Sequence, residues 1–193
     1  MKIILIPANI FIFLNSFFLN ASSFNDTQTV SNKQKNQAVK ESSLIMKCLD
    51  KASNEIEKKY RFSAIGYGVS GTYKEVSLDF QVFSPLSEEE TRYLLFDCSE
   101  ILIKNLNLHA AENPSSQKKY SYKDVGIGFF IYGKKHEDLF DPQICCARLA
   151  GDRLYFRTQE PKNFCYVKYI EETHEEARAL VEKYKTELAE KRR

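Results

Sequence analysis

The sequence predicts a two-layer α+β domain, an antiparallel sheet covered on one face by three helices. Three observations carry this. Apolar residues recur at three- and four-residue steps in three segments. They alternate every second residue, or run as short apolar stretches between turn residues, in six others. The connections between most neighbouring strand segments are short, which favours antiparallel pairing. The resulting order is α-β-β-α-β-β-β-β-α, with the helices gathered on one side.

The first helix is expected from about Val39 to Tyr60, where Ile45, Cys48, Leu49, Ala52, Ile56 and Tyr60 align on one face. Phe62 to Ser70 reads as a strand, and Gly71-Thr72-Tyr73-Lys74 supplies a hairpin turn. In the strand that follows, Val76, Leu78, Phe80 and Val82 alternate with Ser77, Asp79, Gln81 and Phe83.

The second helix opens on Ser87-Glu88-Glu89-Glu90, a hydroxyl at the N-cap with a carboxylate at N3. Leu94, Leu95, Cys98, Ile101, Leu102, Asn105 and Leu106 form its buried stripe. His109 to Lys123, polar and containing Pro114-Ser115-Ser116, reads as a surface loop.

Val125, Ile127, Phe129 and Ile131 restart the two-residue period. Ile144–Leu149 and Leu154–Thr158 flank the turn Ala150-Gly151-Asp152-Arg153, and Phe164 to Ile170 makes a further strand. The last helix opens at Thr173 with Glu176 at N3, and Ala177, Leu180, Val181, Tyr184 and Leu188 carry its apolar spacing. Acidic residues crowd its start and basic ones its end, as the helix dipole favours. That gradient accounts for the charges without a binding patch.

The chain has 193 residues, 28 basic against 26 acidic. That length suits one domain plus extras. The near-neutral balance disfavours nucleic acid as a partner. Met1-Lys2, an apolar run from Ile3 to Leu19, and Asn20-Ala21-Ser22-Ser23 are the three parts of a secretory signal peptide. The run has polar interruptions and falls short of the ~20 apolar residues a spanning helix wants, so cleavage before Phe24 is favoured over an uncleaved anchor. Lys2 is its only charge, so the net charge falls from +2 to +1 on removal. Residues 24–40 read as a flexible leader and 41–193 as the folded domain. Asn25-Asp26-Thr27 is a glycosylation sequon in that leader. The expected location is therefore outside the cytoplasm, periplasmic or secreted.

Ser77-Leu78-Asp79-Phe80, the capped start at Ser87–Leu95, Tyr155-Phe156-Arg157-Thr158 and Glu171–Ala177 resemble a family of exported single-domain α+β proteins of intracellular bacteria. The resemblance covers about residues 43–184. It implies export and this fold class, and it implies no activity and no site residues.

Gly66-Tyr67-Gly68-Val69-Ser70-Gly71 matches the dinucleotide pattern G-x-G-x-x-G, but that motif must lead into a helix, and here a strand follows. No cofactor is expected. Gly66 and Gly68 share one strand face, where missing side chains permit close packing or curvature. The five cysteines include no C-x-x-C and the three histidines no paired spacing, so no metal is expected either.

Cys48 and Cys98 lie on helix stripes, with a bridge between them open if the helices pack together. Cys145 and Cys146 must point to opposite faces, one of them towards Cys165 if those strands are adjacent. Zero to two disulfides are expected in an oxidising compartment. A thiol enzyme would need a base beside its nucleophile. Cys146, Cys165 and His174 are the candidates, although a histidine at a helix start is more often a solvated surface group.

Tyr120-Ser121-Tyr122, Tyr155 and Tyr166-Val167-Lys168-Tyr169 interleave aromatic and basic residues, as a half-buried strand face or a stacking surface would. The reading favoured by the whole is an exported, non-enzymatic module that binds a protein or envelope component. An exported thiol- or hydrolase-type enzyme, or a small-ligand or lipid carrier with a cavity over the glycines, are the alternatives.

Overall fold

In a computed structural model, residues 32–69, 75–112 and 118–191 are described. The expected signal peptide, the sequon, the expected turn at Gly71–Lys74 and the Pro114–Ser116 segment lie outside them. The elements follow the expected order: α1 (Asn32–Tyr60), β1 (Ser63–Val69), β2 (Val76–Val82), α2 (Glu88–Glu112), β3 (Val125–Ile131), β4 (Cys146–Ala150), β5 (Arg153–Gln159), β6 (Tyr166–Thr173) and α3 (His174–Lys191). A 3-10 turn, Tyr122–Asp124, precedes β3. Helix α1 begins ahead of the expected Val39, so part of the segment read as leader is helical.

The six strands lie side by side in sequence order. Four of the five pairings are antiparallel, and β2 with β3 is parallel, so the sheet is mixed rather than wholly antiparallel. The connection explains this. A tight turn reverses the chain, whereas α2 carries it the length of the sheet and returns it to the end from which β2 started.

Both expected capping boxes form. The Ser87 amide donates to Glu90 Oε2 at 2.9 Å and the Glu90 amide to Ser87 Oγ at 3.2 Å. The Thr173 amide donates to Glu176 Oε2 at 2.9 Å and the Glu176 amide to Thr173 Oγ1 at 3.2 Å. Each box satisfies donors that a helix start leaves orphaned, worth about 1 kcal/mol per cap. At the β4–β5 turn Gly151 takes φ +59°, a left-handed conformation that glycine adopts without Cβ strain.

Register sorts the side chains into two faces. On the helix side, Phe80, Phe129, Ala147, Phe156 and Ile170 are neighbours across β2 to β6, and Leu78, Ile127, Leu149, Leu154 and Glu172 form the adjacent row. The three phenylalanines are buried, together with Leu49 and Ile56 of α1, Leu95 and Leu102 of α2 and Val181 of α3. Each such side chain contributes roughly 1.5–3 kcal/mol on burial.

Helix α1 is fastened to α2 by Lys59 and Tyr60, which both reach Asp97 at 2.7 Å. Asn105 adds a bond to Glu55 at 3.1 Å. Leu180, expected in the stripe of α3, is 45% exposed because that helix seats its Ala177–Val181 edge instead.

Arg92 ties α2 to β6. It is buried, its Nε donates to Glu172 Oε2 at 2.8 Å, and its Nη2 reaches Glu172 Oε1 and, at 3.0 Å, Glu88. Its guanidinium also stacks 5.0 Å from the centre of the Phe156 ring.

Candidate functional site

Because the helices occupy one side, the alternate residues of every strand form a second face that no described element covers. Three rows cross it. Gly68, Ser77, Gly126, Ala150, Arg153 and Thr173 form one; Gly66, Asp79, Gly128, Arg148, Tyr155 and Glu171 the next; and Ser63, Gln81, Phe130, Cys146, Arg157 and Tyr169 the third.

The glycines leave room in the first two rows. A Cβ at Gly128 would stand 2.2 Å from Asp79 Oδ1, and one at Gly68 would stand 2.8 Å from Ser77 Oγ. The side chain missing at Gly128 lets Arg148 on β4 reach over β3 to Asp79 on β2 at 2.8 Å. Close packing therefore holds at Gly68, while Gly66 has nothing within 4 Å. These glycines face away from the helices, so they do not floor a cavity between helices and sheet. The G-x-G pattern leads from β1 towards another strand, not a helix.

The third row is different in chemistry. Phe130 is 38% exposed and Tyr169 51%, and Tyr166 beside them is 45% exposed. The Arg157 guanidinium lies 5.0 Å from the Tyr166 ring centre and 5.4 Å from that of Tyr169. Tyr155 packs on Tyr169 at 5.7 Å. Tyr155, Tyr166 and Tyr169 thus converge here, whereas Tyr120 is buried and Tyr122 stacks on His174. Lys168, opposite Thr158, belongs to the helix side.

The candidate catalytic residues do not meet. Cys146 is half-buried on the uncovered face; burial first, then the neighbouring Cys145, pushes its thiol up to about 11 against the opposing pull of Arg157 and Arg148. Such a thiol is a poor nucleophile at neutral pH. Cys165 is exposed in the turn before β6. His174 is buried, not solvated: its ring stacks 3.7 Å from Tyr122 at 12° and 4.8 Å from Phe96. Burial is the main cause of its lowered pKa.

None of the five cysteines is joined in a disulfide. Strand β5 separates β4 from β6, so the adjacency that would bring Cys146 to Cys165 is not met. Among the described residues no group of three His, Cys, Asp or Glu side chains could hold a metal ion, and no helix is long and apolar enough to cross a membrane.

A half-open cavity of about 320 Å³ lies on the helix side, between the β2–α2 connection (Pro85, Leu86) and Phe156, Thr158, Lys168 and Ile170. It is remote in register from the glycines.

Sequence reasoning placed Arg157 only in a strand pattern and did not single out Phe130. The available signal was phase: Arg153, Tyr155 and Arg157 alternate with Leu154, Phe156 and Thr158, which are buried. Both edge strands also carry register shifts, between Ala64 and Gly66 on β1 and opposite Thr158/Gln159 on β6. Such irregularities interrupt strand addition at a sheet edge. Comparison with known protein families, with curated proteins and with solved structures finds no match for this chain.

Proposed function

We propose that the protein is an exported binding module that engages a protein or envelope component through the uncovered face of its sheet. The observation that carries this is the exposed row of Phe130, Arg157 and Tyr169, with Tyr166 and Tyr169 against the Arg157 guanidinium, on the sheet face opposite the helices. Aromatic residues and arginine are the side chains that most often anchor interfaces. Strands hold them in fixed positions, so little conformational entropy is lost on binding.

Binding rather than catalysis is supported by the raised thiol of Cys146 and by the enclosure of His174 between aromatic rings. Export is supported by the tripartite pattern of residues 1–23 and by the resemblance to exported bacterial proteins. N-terminal sequencing of the protein from native cells is expected to begin at Phe24; a start at Met1 in the cytoplasmic fraction overturns the export component. A photocrosslinking side chain at Phe130 is expected to give a discrete adduct suppressed by excess unlabelled protein. The same group at Leu180 is expected to give none. Equal labelling at both positions, or none at either, refutes a docking role for this face.

The cavity beside Phe156 supports a second reading, a small-ligand site, since its size falls at the lower end of such sites, ~300–1,000 Å³. Its walls are Pro85, Leu86, Phe156 and Ile170, with Lys168 and Glu88 3.8 Å apart beside it. Saturable binding of a small molecule that is abolished by Ile170→Trp would favour this reading.

A further inference from the structure

Three arginines lie on the uncovered face, and their partners differ. Arg148 Nη1 holds Asp79 at 2.8 Å, with Glu75 3.8 Å from Nη2. Arg153 holds Glu171 at 2.8 Å, with Asp152 at 3.9 Å. Arg157 forms no ion pair among the described residues; its guanidinium lies against the Tyr166 and Tyr169 rings and interacts with the Tyr166 hydroxyl. Its row contains Ser63, Gln81, Phe130, Cys146 and Tyr169, so the guanidinium is the one charge there. Arg148 and Arg153, the other two arginines of the face, each already have an anion.

We propose that Arg157 is the recognition point for a carboxylate side chain of a polypeptide partner, which makes the ligand an acidic peptide segment with apolar neighbours. The proposal rests on the reading of this face as a docking surface. A guanidinium offers two parallel N–H donors that match a carboxylate. The rings of Tyr166 and Tyr169 hold the fork in place, so less freedom is lost when it pairs. Charge counting selects the anion: a single cation neutralises a carboxylate, whereas a phosphate near its dianionic form asks for more than one. Phe130 on one side, with Tyr166 and Tyr169 on the other, offers apolar surface to the residues flanking the acid. The interrupted edges direct the partner to the face rather than to the end of the sheet.

The test uses the purified full chain and two pools of seven-residue peptides, identical except for Glu or Gln at the central position, with random uncharged residues around it. The Glu pool is expected to be retained at least about tenfold more than the Gln pool, a ratio in the range of charge-assisted hydrogen bonds. Arg157→Gln is expected to bring that ratio to about one. Arg148→Gln, outside the row, is expected to leave it above fivefold. Arg157→Lys keeps the charge without the fork and is expected to lower the ratio at least threefold, which covers the case in which the Gln variant does not fold.

Equal retention of both pools, with loss of both on Phe130→Ala, overturns the carboxylate assignment and leaves the docking face standing. Retention that is unchanged by Phe130→Ala and Arg157→Lys overturns both. Binding to vesicles of phosphatidylserine, with neither peptide pool retained, overturns the polypeptide assignment in favour of a lipid surface.

Discussion

Replacing Arg92 with methionine removes the charge at the crossing of α2 and β6 while keeping most of the side-chain volume. Two carboxylates lose a partner, with unequal consequences. Glu88 is 38% exposed and turns to water at little cost, but the Glu172 side chain is only 14% exposed. Removing one member of a buried pair costs about 3–5 kcal/mol, because the other charge is left uncompensated. Since water still reaches part of Glu172, the expected loss for Arg92→Met is about 2–4 kcal/mol. With a urea m-value of about 2 kcal/mol/M, the unfolding midpoint should fall by about 1–2 M. Adding Glu172→Leu removes the stranded charge and should bring the double variant within about 1 kcal/mol of the parent, since apolar replacement of a buried pair is often near neutral. Urea unfolding of the three proteins followed by circular dichroism reads these values. A single variant within 1 kcal/mol of the parent, or a double variant no better than the single, would refute the reasoning.

The two glycines of the Asp79 row should respond oppositely to the same change. Gly128→Val drives atoms into Asp79 and Arg148 and is expected to cost about 1–3 kcal/mol, while Gly66→Val, with open space around it, stays within about 0.5 kcal/mol by thermal melting. The depressed pKa of His174 makes its contribution fully present above its unfolded value near 6.5 and progressively lost as pH falls from there through the folded value. The urea midpoint should therefore drop between pH 7 and 5.5, and less so in His174→Phe; equal slopes would show that the imidazole is not the source. At pH 8 a thiol reagent should label Cys165 quickly. Cys145 and Cys146, each pushed up to about 11 chiefly by burial, and buried Cys98 should react only on unfolding. Thr173→Ala, which removes the hydroxyl of the α3 cap, is expected to cost about 1 kcal/mol.

The order of elements was legible because local signals agree with the fold. Val76–Val82 alternates as a strand with one buried face must, and the boxes at Ser87 and Thr173 mark helix starts by side-chain chemistry alone. What local signals could not supply was pairing. The sense of β2 against β3 depends on where α2 delivers the chain, and the turn rules that rightly gave the β4–β5 hairpin do not reach that far. The candidate site depends on pairing too. Phe130, Cys146, Arg157 and Tyr169 are scattered in sequence and become one row only through three registers. His174 was misplaced for a related reason: the ring that buries it, Tyr122, belongs to a distant turn.

The parallel seam between β2 and β3 bears on how the chain reaches its fold. Strands β3 to β6 can assemble by successive local reversals, and β1 with β2 by another, but the two groups join only after the long excursion through α2 closes. Closing that loop costs entropy before any seam contact rewards it. The seam should therefore be the late event in folding, and the Arg148–Asp79 bridge that straps across it should act as a latch on opening rather than a guide to closing. Removing the latch with Asp79→Asn is then expected to speed unfolding while leaving the folding rate nearly unchanged. A slowed folding limb in stopped-flow measurements would place the seam early instead.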